Sequence, residues 1–352
     1  MNDGVKNMKM RQAVMTEPGN ILFRKVDVPQ VGDRQIKINI KNIGVCGSDI
    51  HVNHGKHPYT SYPVVQGHEI SAEVTEVGKD VEGIQPGDKV TIQPQVVCGK
   101  CFPCLNGMYH VCEELKVMGF QTTGMASDYF VVDADKATIL PESLDHEEGA
   151  MVEPLAVAVH AVRRVPSVEG LNVLVIGGGP IGNLVGQAAK AFGAANVVVS
   201  ELSETRLKVA EQCGLGTINS KDEDLSEGIL RHFGDRKADI IFECVGSNFT
   251  VAQSIEVARK GSTVVIVGVV SDLTEVNMGF VQDHELTVLG SAMYQSDDFD
   301  GAVHLLNAGK INLKSLITDR VPFENYAEAY SIIDHEKDRV MKVIIAMDPE
   351  TI

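Results

Sequence analysis

The sequence predicts an α/β protein in which a mostly β-stranded N-terminal half, a partly open barrel, precedes a doubly wound domain with a parallel sheet. Three observations lead to this prediction. An uncharged apolar run at residues 172–176 leads directly into a glycine-rich loop and a helical segment, which is typical of a buried parallel strand. Strand and helix patterns then alternate to about residue 290. Short segments broken by glycine and proline fill the chain before residue 140.

The period of the apolar residues predicts the elements of each half. In the first half, alternation predicts antiparallel strands at residues 13–31, 34–45, 72–77, 87–92 and 127–132. In the second half, apolar runs predict strands at residues 173–176, 197–200, 239–243, 263–269 and 286–289. Helical periods occupy residues 145–165, 300–307 and 324–334. Residues 340–345 predict a last strand that returns to the first domain.

Composition and charge exclude several classes of protein. A chain of 352 residues is longer than one typical core requires, so we expect two domains. A net charge of −17 repels nucleic acid and anionic membranes, so neither is an expected partner. Residues 1–12 lack an apolar signal core and polar residues interrupt residues 171–199, so we predict no secretory signal and no membrane span. Seven cysteines, an odd number, favour a reducing compartment, and we expect a cytoplasmic protein.

The glycine-rich loop has the spacing of a dinucleotide-binding turn, G-x-G-x-x-G. Its expected cofactor contacts are Gly177, Gly179, Pro180, Ile181 and Gly182. Glu201 ends the next strand, nineteen residues after the last of these glycines, near the position from which a carboxylate binds the adenosine ribose hydroxyls. Such a carboxylate repels a 2′-phosphate, so NAD is favoured over NADP. The glycine pattern alone is weak, and an ordinary β-α-β unit with a surface glutamate is the alternative.

Four further residues are expected to border the same cofactor. Ligands bind outside the carboxyl ends of parallel strands, and Val245, Val267 and Val269 lie at the ends of two later strands. Arg206 follows Glu201 by five residues and is expected to flank the adenosine.

A cluster of four cysteines is the most specific local motif. Cys98, Cys101, Cys104 and Cys112 have two-residue spacers that let a short loop wrap one ion, and four thiolates complete a tetrahedral Zn²⁺ site. Because four protein ligands leave no open position, we predict a structural zinc. Disulfides and an iron–sulfur cluster are the alternatives. A reducing compartment disfavours disulfides, and the cysteine spacing disfavours an iron–sulfur cluster. His110 is a competing ligand within the same segment.

A second set of metal-binding side chains is spread along the first half. Cys46, His68, Glu69 and Glu153 are residue types that bind Zn²⁺, and three protein ligands plus water make a catalytic site. Each has an alternative interpretation, because a lone cysteine is usually a small buried apolar residue and a carboxylate before proline is stabilised at a helix N-terminus. Their spacing does not prove that they converge.

Taken in order, the motifs resemble those of the zinc-dependent medium-chain dehydrogenase/reductase family, the zinc alcohol dehydrogenases. The motifs are residues 44–51 (GVCGSDIH), 67–69 (GHE), the four-cysteine segment and residues 177–182. Residues 153–156 (EPLA) resemble a segment of the polyol dehydrogenase branch, which includes the sorbitol dehydrogenases. The resemblance implies a GroES-like β-barrel catalytic domain at residues 1–156 and 296–352. It also implies an inserted Rossmann domain at residues 157–295, a cleft between the two domains, and a homotetramer or homodimer.

The resemblance also implies the roles of individual residues. Cys46, His68 and Glu69 would hold the catalytic zinc, with Glu153 as a further ligand or as the group that holds the zinc-bound water. Ser48 would take the alcohol proton and His51 would pass it to solvent. The alternative for Ser48 is a turn hydroxyl that bonds its own backbone.

The implied reaction is NAD-dependent oxidation of a secondary alcohol in a polyol, sugar alcohol or sugar acid, with L-threonine or a simple alcohol as alternative substrates. A zinc-free quinone reductase does not require these ligands, and a non-enzymatic dinucleotide sensor leaves them unexplained. Sorbitol itself is in question, since Met293 precedes Tyr294 where animal sorbitol dehydrogenases carry an arginine. Tyr59 and Tyr294 are candidate contacts to substrate hydroxyls; the alternative is that both pack at an interface.

Overall fold

The computed structural model describes residues 8–349. Of residues 1–12, for which the sequence predicts no secretory signal, the first seven therefore lie outside the described residues. The strands are β1 (Lys9–Glu17), β2 (Asn20–Asp27), β3 (Gln35–Gly44), β4 (Glu69–Val77), β5 (Lys89–Ile92), β6 (Gln95–Val96), β7 (Lys116–Val117), β8 (Tyr129–Asp133), β9 (Ala137–Ile139), β10 (Asn172–Ile176), β11 (Asn196–Glu201), β12 (Gly216–Asn219), β13 (Ile240–Glu243), β14 (Thr263–Ile266), β15 (Thr287–Gly290), β16 (Ile317–Pro322) and β17 (Lys342–Ala346).

The helices are α1 (Gly47–Asn53), α2 (Phe102–Leu105), α3 (His146–Ala150), α4 (Val152–Arg163), α5 (Pro180–Ala191), α6 (Glu204–Gln212), α7 (Leu225–Phe233), α8 (Asn248–Glu256), α9 (Met278–Asp283), α10 (Ser296–Asn307) and α11 (Tyr326–His335). Among the described residues, no helix combines the length and the apolar composition that a bilayer crossing requires.

The first unit consists of residues up to Glu153 and from Ile317 onward. Its main sheet has the order β16-β17-β3-β4-β5-β9, and β8 also pairs with β3. Strand β3 alternates as predicted, so that Ile36, Ile38 and Ile40 are buried in the core. The C-terminal strand β17 pairs antiparallel with β3, which confirms the predicted return of the last strand.

The second unit, Pro154–Leu316, contains a six-stranded parallel sheet in the order β12-β11-β10-β13-β14-β15. All five residues of β10 are buried, as expected for a strand covered on both faces. Strand order reverses between β10 and β13, so this unit has the topological switch point at which doubly wound sheets bind ligands.

Some elements differ from the sequence predictions. Strand β14 ends at Ile266 and not at residue 269, because the chain turns there against the neighbouring loop: a Cβ added at Gly268 would lie 2.2 Å from the backbone nitrogen of Gly246. Strand β12 was not predicted, since it is an edge strand with polar residues and no apolar run. Helix α10 belongs to the second unit, although the resemblance assigned residues from 296 onward to the first domain.

Candidate metal and dinucleotide sites

Strand register brings the predicted catalytic zinc ligands together. Gly44, the last residue of β3, pairs with Glu69, the first residue of β4, so Cys46 and the His68-Glu69 pair meet at one end of the sheet. The potential ligand atoms of Cys46, His68 and Glu69 all lie within 4.8 Å of one another. A side chain at residue 44 would have to displace the Glu69 carboxylate, because a Cβ there would lie 2.2 Å from Glu69 Oε2. A thiolate, an imidazole and a carboxylate in this arrangement fit Zn²⁺.

Lys342 is a buried cation beside this group and was not identified from the sequence. Its Nζ donates hydrogen bonds to Glu69 Oε1 (2.8 Å), Glu69 Oε2 (2.6 Å) and the backbone oxygen of Val45 (3.1 Å). Burial lowers the pKa of Lys342, but the charges of Glu69 and Cys46 oppose this effect and the net pKa is raised. Lys342 therefore carries a positive charge that offsets the acidic ligands.

Asp49 is a second residue that the sequence analysis missed. Its Oδ2 accepts a hydrogen bond from the backbone nitrogen of Cys46 (2.9 Å), and its Oδ1 lies 3.6 Å from His68 Nδ1. Burial raises the pKa of Asp49, and the neighbouring His68 opposes this effect without reversing it. The spacing of Cys46 and Asp49 is that of a capping box, which was the available sequence signal for a carboxylate folded back on this helix start.

His68 has the surroundings of a metal-ligating histidine. It is buried, and its Nδ1 has no hydrogen-bond partner in the structure. Burial lowers the pKa of His68, but Asp49 and Cys46 more than compensate and raise it well above its usual value. A metal held at one ring nitrogen of histidine commonly leaves the other ring nitrogen facing a carboxylate, and Asp49 supplies that carboxylate here.

The other residues predicted for this site occupy different positions around the group. Glu153 is buried in the first turn of α4 and contributes to the raised pKa of His68, but it is not one of the three residues whose ligand atoms cluster. Ser48 is half-buried and His51 is exposed, and both lie on α1. These two are one helical turn apart, on neighbouring positions of the same face.

A row of three rings forms a wall beside His68. Phe120 stacks on His57 with a centroid distance of 4.8 Å and meets His68 at 4.9 Å. Burial, together with His51 and His68, lowers the pKa of His57. Tyr59 touches His57 edge-on at 6.2 Å and is 74% exposed. Its counterpart among the predicted substrate contacts, Tyr294, is fully buried in the second unit, where it packs edge-on against Phe299 at 5.1 Å.

The four-cysteine segment folds into a compact loop around α2. The sulfur atoms of all four cysteines, Cys98, Cys101, Cys104 and Cys112, lie within 4.8 Å of one another. Backbone nitrogens point at these sulfurs: those of Cys98 and Glu114 donate to Cys112 Sγ, each at 3.3 Å. Amide donors of this kind stabilise thiolates, and the donor set fits a tetrahedral structural zinc. His110 is buried nearby but is not part of the cluster.

The predicted dinucleotide loop joins β10 to α5 at the switch point. A Cβ on Gly182 would lie 1.8 Å from the backbone oxygen of Gly177, so only glycine permits this helix to pack on this strand. Gly179 is the N-cap of α5, and the space beside it is open as far as Arg206 Nη1 at 3.8 Å. The loop thus places a half-buried glycine N-cap at a helix start, the kind of position at which a pyrophosphate binds.

Glu201 lies at the end of β11 and reaches back to this loop. Its Oε2 accepts a hydrogen bond from the backbone nitrogen of Gly178 (2.9 Å), and Arg206 Nη1 lies 3.7 Å from the same oxygen. Val245 is 49% exposed and Val269 is 82% exposed, at the carboxyl ends of β13 and β14. Val267 is half-buried in the same region. The loop after β13 meets the glycine turn, because a Cβ on Gly177 would lie 2.5 Å from Val245 Cγ2.

Comparisons with known proteins match both halves of the chain to one family. Residues 32–142 match the alcohol dehydrogenase GroES-like domain, and residues 180–308 match the zinc-binding dehydrogenase family. The chain is 34% identical to the 2-dehydro-3-deoxy-L-galactonate 5-dehydrogenase of Pseudoalteromonas atlantica, over 94% of this chain and 98% of that protein. It is also 34% identical to sorbitol dehydrogenase 1 of Saccharomyces cerevisiae, over 94% of this chain and 96% of the relative.

A solved structure extends the similarity to a cofactor complex. The Escherichia coli alcohol dehydrogenase rspB, crystallised with NADH, superimposes with a TM-score of 0.90 at 28% identity. The alignment covers 96% of this chain and 99% of that one.

Proposed function

This chain belongs to the zinc-dependent alcohol dehydrogenase family, and we propose that it oxidises a secondary hydroxyl of a polyol, sugar alcohol or sugar acid with NAD as acceptor. The observation that carries the proposal is the convergence of Cys46, His68 and Glu69 within 4.8 Å at the end of the β3–β4 pair. In the proposed reaction, R₂CHOH and NAD⁺ give R₂C=O, NADH and a proton.

The chain's own side chains handle the proton. When bound, zinc supplies a Lewis acid that polarises the alcohol oxygen and lowers its pKa, and NAD supplies the hydride acceptor. Ser48 takes the alcohol proton as it passes its own to His51, one helical turn along α1. Because His51 is exposed, it releases that proton to solvent.

Two carboxylates compete for the third ligand position. We assign Glu69 to it, because its carboxylate belongs to the clustered group. Lys342 fixes both oxygens of Glu69 and balances its charge. Glu153, buried at the start of α4, is assigned to hold the water or substrate hydroxyl that completes the site. The four-cysteine loop holds the second, structural zinc, since its ligand set leaves no position for a substrate.

Glu201 selects NAD in this proposal. Its carboxylate stands at the carboxyl end of β11 beside the glycine loop, where the adenosine ribose of a dinucleotide binds. A negative charge there accepts hydrogen bonds from two ribose hydroxyls and repels a 2′-phosphate. Arg206, whose guanidinium is 3.7 Å from Glu201, flanks the adenosine, and its charge is partly neutralised by that carboxylate.

The substrate class follows from relatives that act on polyhydroxylated chains. One relative is named for a sugar acid and the other for sorbitol, and both substrates present a secondary alcohol flanked by further hydroxyls. Tyr59, exposed beside the His57–Phe120 wall, is the proposed contact to a distal hydroxyl in the first unit. Tyr294 would need to leave its packing against Phe299 to serve in the same way.

We also propose that the protein acts as a homo-oligomer, a dimer or a tetramer, in the cytoplasm. Strand β15 is one edge of the parallel sheet, and its Val288 is 44% exposed. An uncharged apolar edge strand is a template for pairing with another chain, so we expect a second copy of this chain to pair with β15. The free cysteines of the described chain suit a reducing compartment.

The proposal is tested by measuring NAD⁺ reduction through nicotinamide absorbance. The panel comprises sorbitol, L-iditol, xylitol, galactitol, sugar acids, L-threonine and simple alcohols, with zinc content measured on the same preparation. Turnover of a polyol or sugar acid by a protein with about two zinc ions per chain is the expected result. If a protein that holds zinc and binds NAD reduces NAD⁺ with none of these compounds, the proposed substrate class is wrong. Absence of zinc would overturn the mechanism.

A further inference from the structure

A line of buried hydrogen bonds connects the C-terminal helix α11 to the clustered metal ligands. The Tyr330 hydroxyl donates to Gln66 Oε1 (2.8 Å), and Gln66 Nε2 donates to Asp49 Oδ1 (2.9 Å). The exposed fractions are 2% for Tyr330, 3% for Gln66 and 2% for Asp49, so none of these groups has access to bulk water. Asp49 in turn accepts from the backbone nitrogen of Cys46 and lies 3.6 Å from His68 Nδ1.

The amide of Gln66 sets the direction of this line. Its nitrogen can only donate and faces Asp49 Oδ1, whereas its oxygen can only accept and faces the Tyr330 hydroxyl. The Tyr330 hydroxyl proton is therefore committed to Gln66 Oε1. Hydrogen bonds aligned in one direction polarise and strengthen one another in a low-dielectric interior.

The line matters for the metal because Asp49 contacts two of the proposed ligands, Cys46 and His68. One oxygen of Asp49 holds the backbone at Cys46, and the other faces the His68 ring. Without the hydrogen bond from Gln66, that second oxygen loses the donor that fixes its direction, and the carboxylate is free to rotate. Rotation removes the group that orients the His68 ring.

From this geometry we propose that Gln66 and Tyr330 are positioning residues of the catalytic metal site, which act through Asp49 on Cys46 and His68. The inference rests on the proposed function, since it assumes that these ligands hold a metal. An apolar side chain at residue 66 would fill the same space without burying an amide. Burying the Gln66 amide costs desolvation free energy, so packing alone does not account for glutamine at this position.

The experiment measures zinc release from the holoenzyme and needs no substrate. Purified protein is mixed with excess chelator, and the release of each zinc is followed with a chromogenic indicator. The variants are Gln66→Leu, Tyr330→Phe and the double variant. Ser127→Ala is the matched control, because Ser127 is also fully buried in the first unit and its hydroxyl donates to the backbone oxygen of Tyr129 at 2.8 Å, outside the line.

We expect each single variant to speed release of one of the two zinc ions about tenfold, at the lower end of the effect of removing an outer-shell partner. Release of the other zinc is expected to be unchanged. The double variant should release zinc no faster than the single variant with the higher release rate, since both residues act through the same chain of hydrogen bonds. The Ser127→Ala control should release both ions at the wild-type rates.

Two results overturn the inference. Variants that release both ions at wild-type rates show that the line does not support the metal. Variants that speed both ions equally, or no more than the Ser127→Ala control does, show that the role is only structural. The proposed function fails in a different way: the wild-type protein would then carry a single releasable zinc, or none.

Discussion

Lys342 Nζ lies 2.8 Å from Glu69 Oε1 and 2.6 Å from Glu69 Oε2, so one buried ammonium neutralises both oxygens of a proposed zinc ligand. The two side chains come from β17 and β4, 273 residues apart in the chain. This pair therefore ties the C-terminal strand to the metal site electrostatically as well as through the sheet.

Replacing Lys342 with methionine is predicted to destabilise the protein by about 3–5 kcal/mol, because the buried Glu69 carboxylate loses its counter-charge. The measurement is the free energy of unfolding in denaturant, at fixed zinc concentration. The matched control is Lys9→Met, which breaks the exposed Lys9–Asp27 pair and should cost at most about 1 kcal/mol. Equal losses in the two variants would contradict a buried electrostatic role.

Cys46→Ala and Cys101→Ala are predicted to separate the two zinc sites. Cys46→Ala should abolish turnover and reduce zinc by about one ion per chain, while NADH binding, followed by fluorescence, stays normal. Cys101→Ala should lower the thermal unfolding temperature or dissociate the assembly, because a structural zinc contributes folding free energy. Near-normal turnover in Cys46→Ala would contradict the catalytic assignment of its site. A stable but inactive Cys101→Ala would contradict the structural assignment of the four-cysteine site.

Sequence reasoning reached the proposed ligands of the two zinc sites but not the residues that contact them. Short spacing predicts the four-cysteine cluster, because a loop of that length has few ways to fold. Cys46, His68 and Glu69 meet through the β3–β4 register, which is a long-range property, so only the family resemblance joined them.

The supporting residues carry weaker local signals. Lys342 opens an apolar strand, KVIIA, and nothing in that pattern says that its ammonium points inward. Asp49 has a capping spacing that accounts for it without a metal. Gln66 precedes the GHE motif, and its partner Tyr330 is 264 residues away. Buried polar contacts between distant segments are thus the part of this site that local patterns do not reveal.

Glu201→Ala is predicted to weaken NAD binding by about 10- to 100-fold, the effect of losing hydrogen bonds to a charged acceptor. It should also narrow the preference for NAD over NADP, because the charge that repels a 2′-phosphate is gone. Steady-state kinetics with each cofactor measures both effects, and KM should change more than kcat. Glu204→Ala, an exposed acid in the first turn of α6, is the control. An unchanged cofactor preference in Glu201→Ala would refute its role.

His146 is predicted to make stability depend on pH. Burial, with Lys89 and Lys41 nearby, lowers the pKa of His146 to about 4, although Glu73 and Asp145 partly oppose this shift, and its Nδ1 is buried without a hydrogen-bond partner. Between that value and about 6.5, its usual pKa, the unfolded state binds more protons than the folded state, so stability falls as pH is lowered through this window. Replacing His146 with glutamine should reduce the loss of unfolding free energy between pH 7 and pH 5, measured with denaturant. The same substitution at the exposed His335 should leave that loss unchanged. If the two variants lose stability equally with acid, the His146 imidazole is not the responsible group.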